Sequence, residues 1–148
     1  LDLQRHAPGR GVALARHAPR AWVDERGTRS ELEALRGACV DLVSAIGNPA
    51  AFEQTVRALG VELDRVKRFP DHHRYTRDDV AGLGQGERVL VTTEKDAVKL
   101  APLGARFQAL AIETEFARDA GVLHALLDAL PRAGESIVRV PSRRKRRD

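Results

Sequence analysis

The sequence predicts an α/β fold, a mostly parallel sheet with flanking helices. Three observations predict it. Short β-prone runs such as Val40–Ile46 and Arg88–Thr93 alternate with helical stretches. Two of these runs lead directly into helix-start signals, Asn48-Pro49 and Thr93-Glu94. Glycines mark the junctions, at Gly47, Gly60 and the Gly82/Gly84/Gly86 series. Strands alternating with helices pair in parallel through right-handed crossovers. Such sheets carry their ligands at the carboxyl ends of the strands.

Composition agrees with a core-forming chain and narrows its partners. The 148 residues are 43% apolar and 31% charged, long enough for a domain with a real core. Net charge is +4, but the excess lies in Arg143, Arg144, Lys145, Arg146 and Arg147. Without that run the chain is near neutral, so no nucleic-acid partner is expected. We expect a lobe over residues 1–131 and a basic, disordered tail over 132–148, either solvated or drawn to anionic lipid. Cys39 is the one cysteine, which excludes an intramolecular disulfide and suggests a buried structural thiol. No apolar run approaches the roughly 20 residues that span a bilayer. The chain begins at Leu1, and we expect its N-terminal part to be missing.

Taken in order, Gly11–Ala15 reads as a short strand closed by Arg16-His17-Ala18-Pro19. Ala21–Val23 follows as a separate extended piece, then a polar turn over Asp24–Thr28. Ser30-Glu31-Leu32-Glu33 resembles a capping box opening a single helical turn. Val40–Ile46 is a strand. Asn48 as N-cap and Pro49 at the first helical position start a helix over residues 49–59, with Phe52, Val56 and Leu59 on one face. Val61–Phe69 alternates apolar and charged residues as a one-sided strand, with a break of phase near Asp64. Thr76 caps a short helix whose first turn holds Asp78 and Asp79. The following glycines precede a strand rather than follow one, so they are not a dinucleotide fingerprint. Arg88–Thr93 is a buried strand and Glu94–Leu100 a helix capped by Thr93, with Asp96 at its third position. Phe107–Ile112 is a strand, and Ala117–Leu130 an amphipathic helix ended by Pro131.

Three stretches could carry chemistry. Phe69-Pro70-Asp71-His72-His73-Arg74-Tyr75 crowds titratable side chains into one loop. A carboxylate beside an imidazole can orient it as a general base; the alternative is a surface loop with local hydrogen bonds. Adjacent side chains in a loop diverge, so one histidine suffices for a site. A manganese-phosphoesterase reading would need an upstream Asp-x-Asp, which is absent, and no metal ligands are expected here. Thr92–Lys99 places a helix N-terminus at a strand end, suited to an anion with Lys95 adding charge. Its alternative is a cap plus solvated charges. Ile46-Gly47-Asn48-Pro49 is, at the least, a well-made cap.

The order of Ile-Gly-Asn-Pro, Phe-Pro-Asp-His-His-x-Tyr and Thr-Thr-Glu-Lys-Asp-x-Val-Lys, over about residues 10–130, resembles the C-terminal half of the tetraacyldisaccharide 4'-kinases. The resemblance implies a P-loop kinase-like (Rossmann-like) architecture. It also implies an activity: ATP-dependent phosphorylation of the 4'-hydroxyl of tetraacyldisaccharide 1-phosphate in lipid A biosynthesis. ATP and Mg²⁺ are the implied cofactors, a lipid disaccharide the implied partner, and the cytoplasmic face of the bacterial inner membrane the implied location. Asp71 and His72 match the family's Asp-His pair near the transfer centre, where the histidine supports an aspartate base from the N-terminal half. His73, Tyr75, Asn48, Thr93, Glu94, Lys95 and Asp96 match positions near substrate or nucleotide. The family's Gly-x-x-x-x-Gly-Lys-Thr-type phosphate loop does not occur in these 148 residues, so the chain alone is expected to be inactive. Ala45 stands where the family commonly has Gly. The alternative is a non-catalytic, basic-tailed module that binds anionic lipid or nucleic acid.

Overall fold

The computed structural model describes residues 13–118 and 120–130. Its strands are β1 (Leu14–Asp24), β2 (Arg29–Ser30), β3 (Cys39–Ser44), β4 (Glu62–Arg68), β5 (Val89–Thr93) and β6 (Gln108–Arg118). Its α-helices are α1 (Pro49–Ala58), α2 (Arg77–Val80), α3 (Glu94–Leu100) and α4 (Ala120–Asp128), with 3-10 turns at Leu32–Leu35 and Ala101–Leu103. The strands form one sheet in the order β2-β1-β6-β5-β3-β4. β3 pairs in parallel with β4 and β5, and β5 with β6; β1 and β2 are antiparallel. The expected α/β fold with a mostly parallel sheet is therefore present.

Two units make up the chain. One is His17–Glu115. The other draws on both chain ends, and its described residues are 13–16, 116–118 and 120–130, including α4.

Within His17–Glu115 the strand β3, flanked by β5 and β4, is buried on both faces, as parallel sheets require. Val40 and Leu42 join Trp22, Val56, Val91 and Leu110 in one core, with Phe52 and Leu59 packed beside it. Val43 and Ala45 join Tyr75, Leu83, Leu90 and Leu100 in a second core on the opposite face. Trp22 is fully buried, and its indole N–H donates to the Leu32 carbonyl at 3.0 Å, so its burial leaves no unmet donor.

The break of phase near Asp64 is a register shift. Val40 pairs with Leu63, but Leu42 pairs with Val66, so β4 carries one extra residue. Leu63 and Val66 thereby both reach the α1 side. Arg65 turns to the other face, where it grips Asp41 on β3 through Nε at 2.9 Å and through Nη2. Asp41 is fully buried. It also accepts the Gly84 N–H at 2.8 Å and lies 3.4 Å from Arg88 Nε. Burial alone would raise the Asp41 pKa. The Arg65 hydrogen bonds, the Gly84 N–H and the two guanidinium charges outweigh it and hold the pKa below its ordinary value. Gly84 is forced here: its φ is +63°, and a Cβ would come within 2.9 Å of Leu90 Cβ.

Several expectations are corrected. The two extended pieces at Gly11–Ala15 and Ala21–Val23 are one strand within the described residues, running through Pro19. β2 pairs only with Trp22 and Val23, so Pro19 costs no hydrogen bond to β2. No capping box opens the first turn; its N-cap is Glu31, with no side-chain hydrogen bond. β6 continues to Arg118, so α4 starts at Ala120 rather than Ala117. Charged residues at Glu113 and Glu115 hid that extension, yet both are held by Arg20 on β1. Cys39 is exposed rather than buried, because it opens β3 before the strand enters the core. The expected tail over 132–148 lies outside the described residues.

Removing the Asp41 carboxylate takes the buried partner from Arg65 and Arg88 and leaves the Gly84 N–H without its acceptor. Asp41→Ala should cost about 2–4 kcal/mol in urea unfolding. Because the folded-state pKa is lowered, this stabilisation is present above the ordinary carboxylate range and lost as pH falls through the folded value. Stability curves of the protein and of Asp41→Asn should therefore converge in acid.

Candidate functional site

The carboxyl ends of β3, β4 and β5 lie side by side, and each feeds one of the three motif stretches. After β3, Asn48 Oδ1 accepts the Ala51 N–H at 3.1 Å and Pro49 occupies the first helical turn. This cap turns the chain sharply from sheet into α1. After β4, the Phe69 N–H donates to the Ser44 carbonyl at 2.9 Å. The start of the Asp71 loop is thus pinned to the end of β3.

After β5, Thr93 caps α3: its Oγ1 accepts the Asp96 N–H at 3.1 Å and donates to Asp96 Oδ2 at the same distance. Asp96 is not solvated, as one reading of its charge pattern held. It is fully buried, and its Oδ2 accepts the Ala45 N–H at 2.8 Å. Lys99 Nζ approaches Oδ1 at 3.3 Å and donates to the His73 carbonyl at 3.2 Å. One carboxylate therefore joins the end of β3 to the start of α3, and Lys99 joins both to the loop. Ala45 is wholly buried there, its methyl packed in the second core.

The loop separates its two histidines. His73 stacks on Phe69, with ring centroids 4.4 Å apart, and meets Tyr75 edge-on at 5.3 Å. Its Nε2 lies 3.0 Å from Asp79 Oδ2. Asp79 also completes a capping box with Thr76. The Thr76 N–H, followed by the His73 ring, keeps the Asp79 pKa low. His73 is thus committed to packing and to a cap. Tyr75 is buried, and desolvation, helped by the nearby Asp96 charge, pushes its phenol pKa up. It remains a neutral phenol at working pH.

His72 is the opposite case. Its φ is +64°, a left-handed backbone that few non-glycine residues adopt. Its side chain is 83% exposed, with Nε2 3.6 Å from Asp71 Oδ2. Asp71 Oδ1 accepts the His72 N–H at 3.0 Å and is ion-paired with Lys95 Nζ from the first turn of α3. The Lys95 hydrogen bond, outweighing desolvation, holds the Asp71 pKa below its ordinary value. This leaves an ionised carboxylate with one oxygen clamped and the other facing an accessible imidazole. Such a pair can help draw a proton from a hydroxyl.

Beside Lys95 opens a cleft of about 610 Å³. Ile46, Phe52, Leu110 and Ile112 give it an apolar lining, while Asn48, Thr93, Glu94 and Lys95 supply its polar groups. Glu94 also accepts the Ile112 N–H at 3.2 Å. The structure therefore brings Asn48, Thr93, Glu94 and Lys95 to one cleft and Asp71 and His72 to its Lys95 side. His73, Tyr75 and Asp96 serve as packing and hydrogen-bonding supports. His17, isolated in the sequence, also lines the cleft. No local signal marks it, since sheet order alone brings β1 beside β6.

Asp96→Asn replaces an acceptor of several donors with a group that accepts at one atom only. It should lower stability by about 1–3 kcal/mol in denaturant unfolding, with the Ala45 amide exchanging faster by NMR.

Residues 4–131 match the family of the tetraacyldisaccharide-1-P 4'-kinases. A tetraacyldisaccharide 4'-kinase of Anaeromyxobacter sp. (strain K) is 42% identical over 141 residues, covering 86% of this chain and 36% of that protein. One from Rhodopseudomonas palustris (strain BisB5) is 38% identical over 135 residues, covering 86% of this chain and 38% of that protein. A crystal structure of LpxK from Aquifex aeolicus in complex with ATP matches 84% of this chain and 40% of its own, with a TM-score of 0.57 at 18% identity. That likeness concerns the fold. The chain spans little more than a third of the length of these curated relatives. On the extent of the family match, the chain is a member of the tetraacyldisaccharide-1-P 4'-kinase family.

Proposed function

We propose that this chain provides the Asp71–His72 part of a centre that phosphorylates the 4'-hydroxyl of tetraacyldisaccharide 1-phosphate with ATP, in lipid A biosynthesis. The observation that carries the reading is the Asp71 carboxylate, held by Lys95 on one oxygen and facing the exposed His72 imidazole with the other. It stands beside a cleft at the carboxyl edge of the sheet, in a chain of this family.

Phosphoryl transfer relies on positioning, charge stabilisation and a base on the attacking hydroxyl. Asp71 orients His72 through the carboxylate oxygen that faces the ring Nε2. His72 in turn supports the base that takes the hydroxyl proton. The hydroxyl oxygen then bonds the γ-phosphorus as its bond to the leaving ADP breaks. ATP, when bound, supplies the phosphoryl group.

The described residues do not themselves fit the nucleotide's phosphates or Mg²⁺. Among them no group of three or more His, Cys, Asp and Glu side chains could hold a metal ion, and the 148 residues contain no phosphate loop. The chain by itself is therefore inactive in this reading. An acylated substrate implies work at a membrane surface, which the Arg143–Arg147 run would favour by attracting anionic headgroups at the cytoplasmic face of the inner membrane. No helix among the described residues is long and apolar enough to cross a membrane.

The test is a graft. Residues 13–130 replace the matching segment of the Anaeromyxobacter relative, and ATP-dependent phosphorylation of the disaccharide lipid is measured. The graft should be active and the 148-residue chain alone inactive. His72→Ala in the graft should lower kcat by about 10²-fold or more, the scale for losing acid–base help. Turnover by the chain alone, or an unchanged kcat in His72→Ala, would overturn the assignment.

A further inference from the structure

We propose that Lys95 is a positioning residue for the Asp71–His72 pair, clamping one oxygen of Asp71 so that the other is presented to the imidazole. The inference deepens the kinase reading of the same site, and names a role for a side chain whose sequence signal is only a positive charge at a helix start.

Three observations converge. The two oxygens of Asp71 are used unequally: Oδ1 takes both Lys95 Nζ and the His72 N–H, while Oδ2 faces His72 Nε2 at 3.6 Å. A carboxylate held at one oxygen loses rotation about its terminal bond, so the second oxygen points in a fixed direction. Lys95 is itself anchored. It occupies the second position of α3, whose start is fixed by the Thr93 cap and by the buried Asp96 bonded to β3. Lys95 also lines the cleft, so one residue touches both the ligand space and the Asp71 loop.

An exposed ion pair of this kind adds little to stability. Lys95 and Asp71 are both about 40% exposed, so the pair contributes little to folding. What it does add is direction and charge. The ammonium favours the ionised carboxylate, and the lowered Asp71 pKa follows that contact. Without Lys95, Asp71 Oδ1 keeps only the His72 N–H, and the carboxylate turns more freely beside the His72 ring.

The experiment compares the protein with Lys95→Met and Lys95→Arg. In the 148-residue chain, NMR follows the Asp71 carboxyl titration and exchange of the His72 amide; the thermal midpoint is measured alongside. Lys95→Met should raise the Asp71 midpoint and speed exchange of the His72 amide with little change in thermal stability. Lys95→Arg should keep both near the original values. In the graft, Lys95→Met should lower kcat about 10-fold to 100-fold with KM nearly unchanged, and Lys95→Arg should recover most of it. An Asp71 midpoint and His72 amide unmoved by Lys95→Met would overturn the proposal. So would an active graft whose kcat ignores the substitution. A graft inactive with every native residue counts against the kinase reading alone, and the NMR readouts then decide the role of Lys95.

Discussion

The arrangement of the site depends on one buried carboxylate. Asp96 sits three residues into a helix, where its own N–H is taken by Thr93, and its side chain reaches across to the backbone of Ala45. A buried charge of this kind is tolerable only when fully hydrogen-bonded, and here every partner belongs to an element that the site needs. The β3 end, the α3 start and, through Lys99, the His73 carbonyl are all fastened to the same two oxygens. The Lys95–Asp71 contact rests on this fastening, since it fixes where the first turn of α3 begins.

A second knot, around Asp41, lies closer to the amino end of β3, on the face away from α1. It is built in the same way: a carboxylate with no exposure, gripped by guanidinium groups and a glycine N–H. Glu53 on α1 repeats the theme with Arg68 through two hydrogen bonds, at 2.7 and 2.9 Å. Arg68 holds the Glu53 pKa low, against burial. With few aromatics in the chain, these charged clasps supply directional contacts that small aliphatic side chains lack.

Much of the frame was legible because its signals are local. Asn48-Pro49, Thr76 with Asp79, and Thr93 with Asp96 at the third position all encode caps whose partners lie within a few residues. What could not be read was long-range. The Asp96–Ala45 hydrogen bond joins residues 51 apart, and a sequence pattern shows only an acid in a first turn. The divergence of His72 from His73 depends on the Phe69 and Tyr75 rings. The cleft position of His17 depends on strand order. Pro19 reads as a stop because proline usually ends pairing, yet β1 runs through it.

The extra residue in β4 has a consequence beyond its own strand. In a pleated strand, odd and even positions face opposite sides. Up to Leu63 one parity faces α1; from Val66 on, the other does. That inversion sets which side each arginine takes: Arg65 meets Asp41 away from α1, Arg68 meets Glu53 on α1, and Phe69 leaves the strand toward Tyr75 and His73. The side from which the Asp71 loop departs is therefore set by a counting feature several residues upstream. Losing one residue there would preserve every side chain of the Asp-His pair and still deliver it to the wrong side of the molecule.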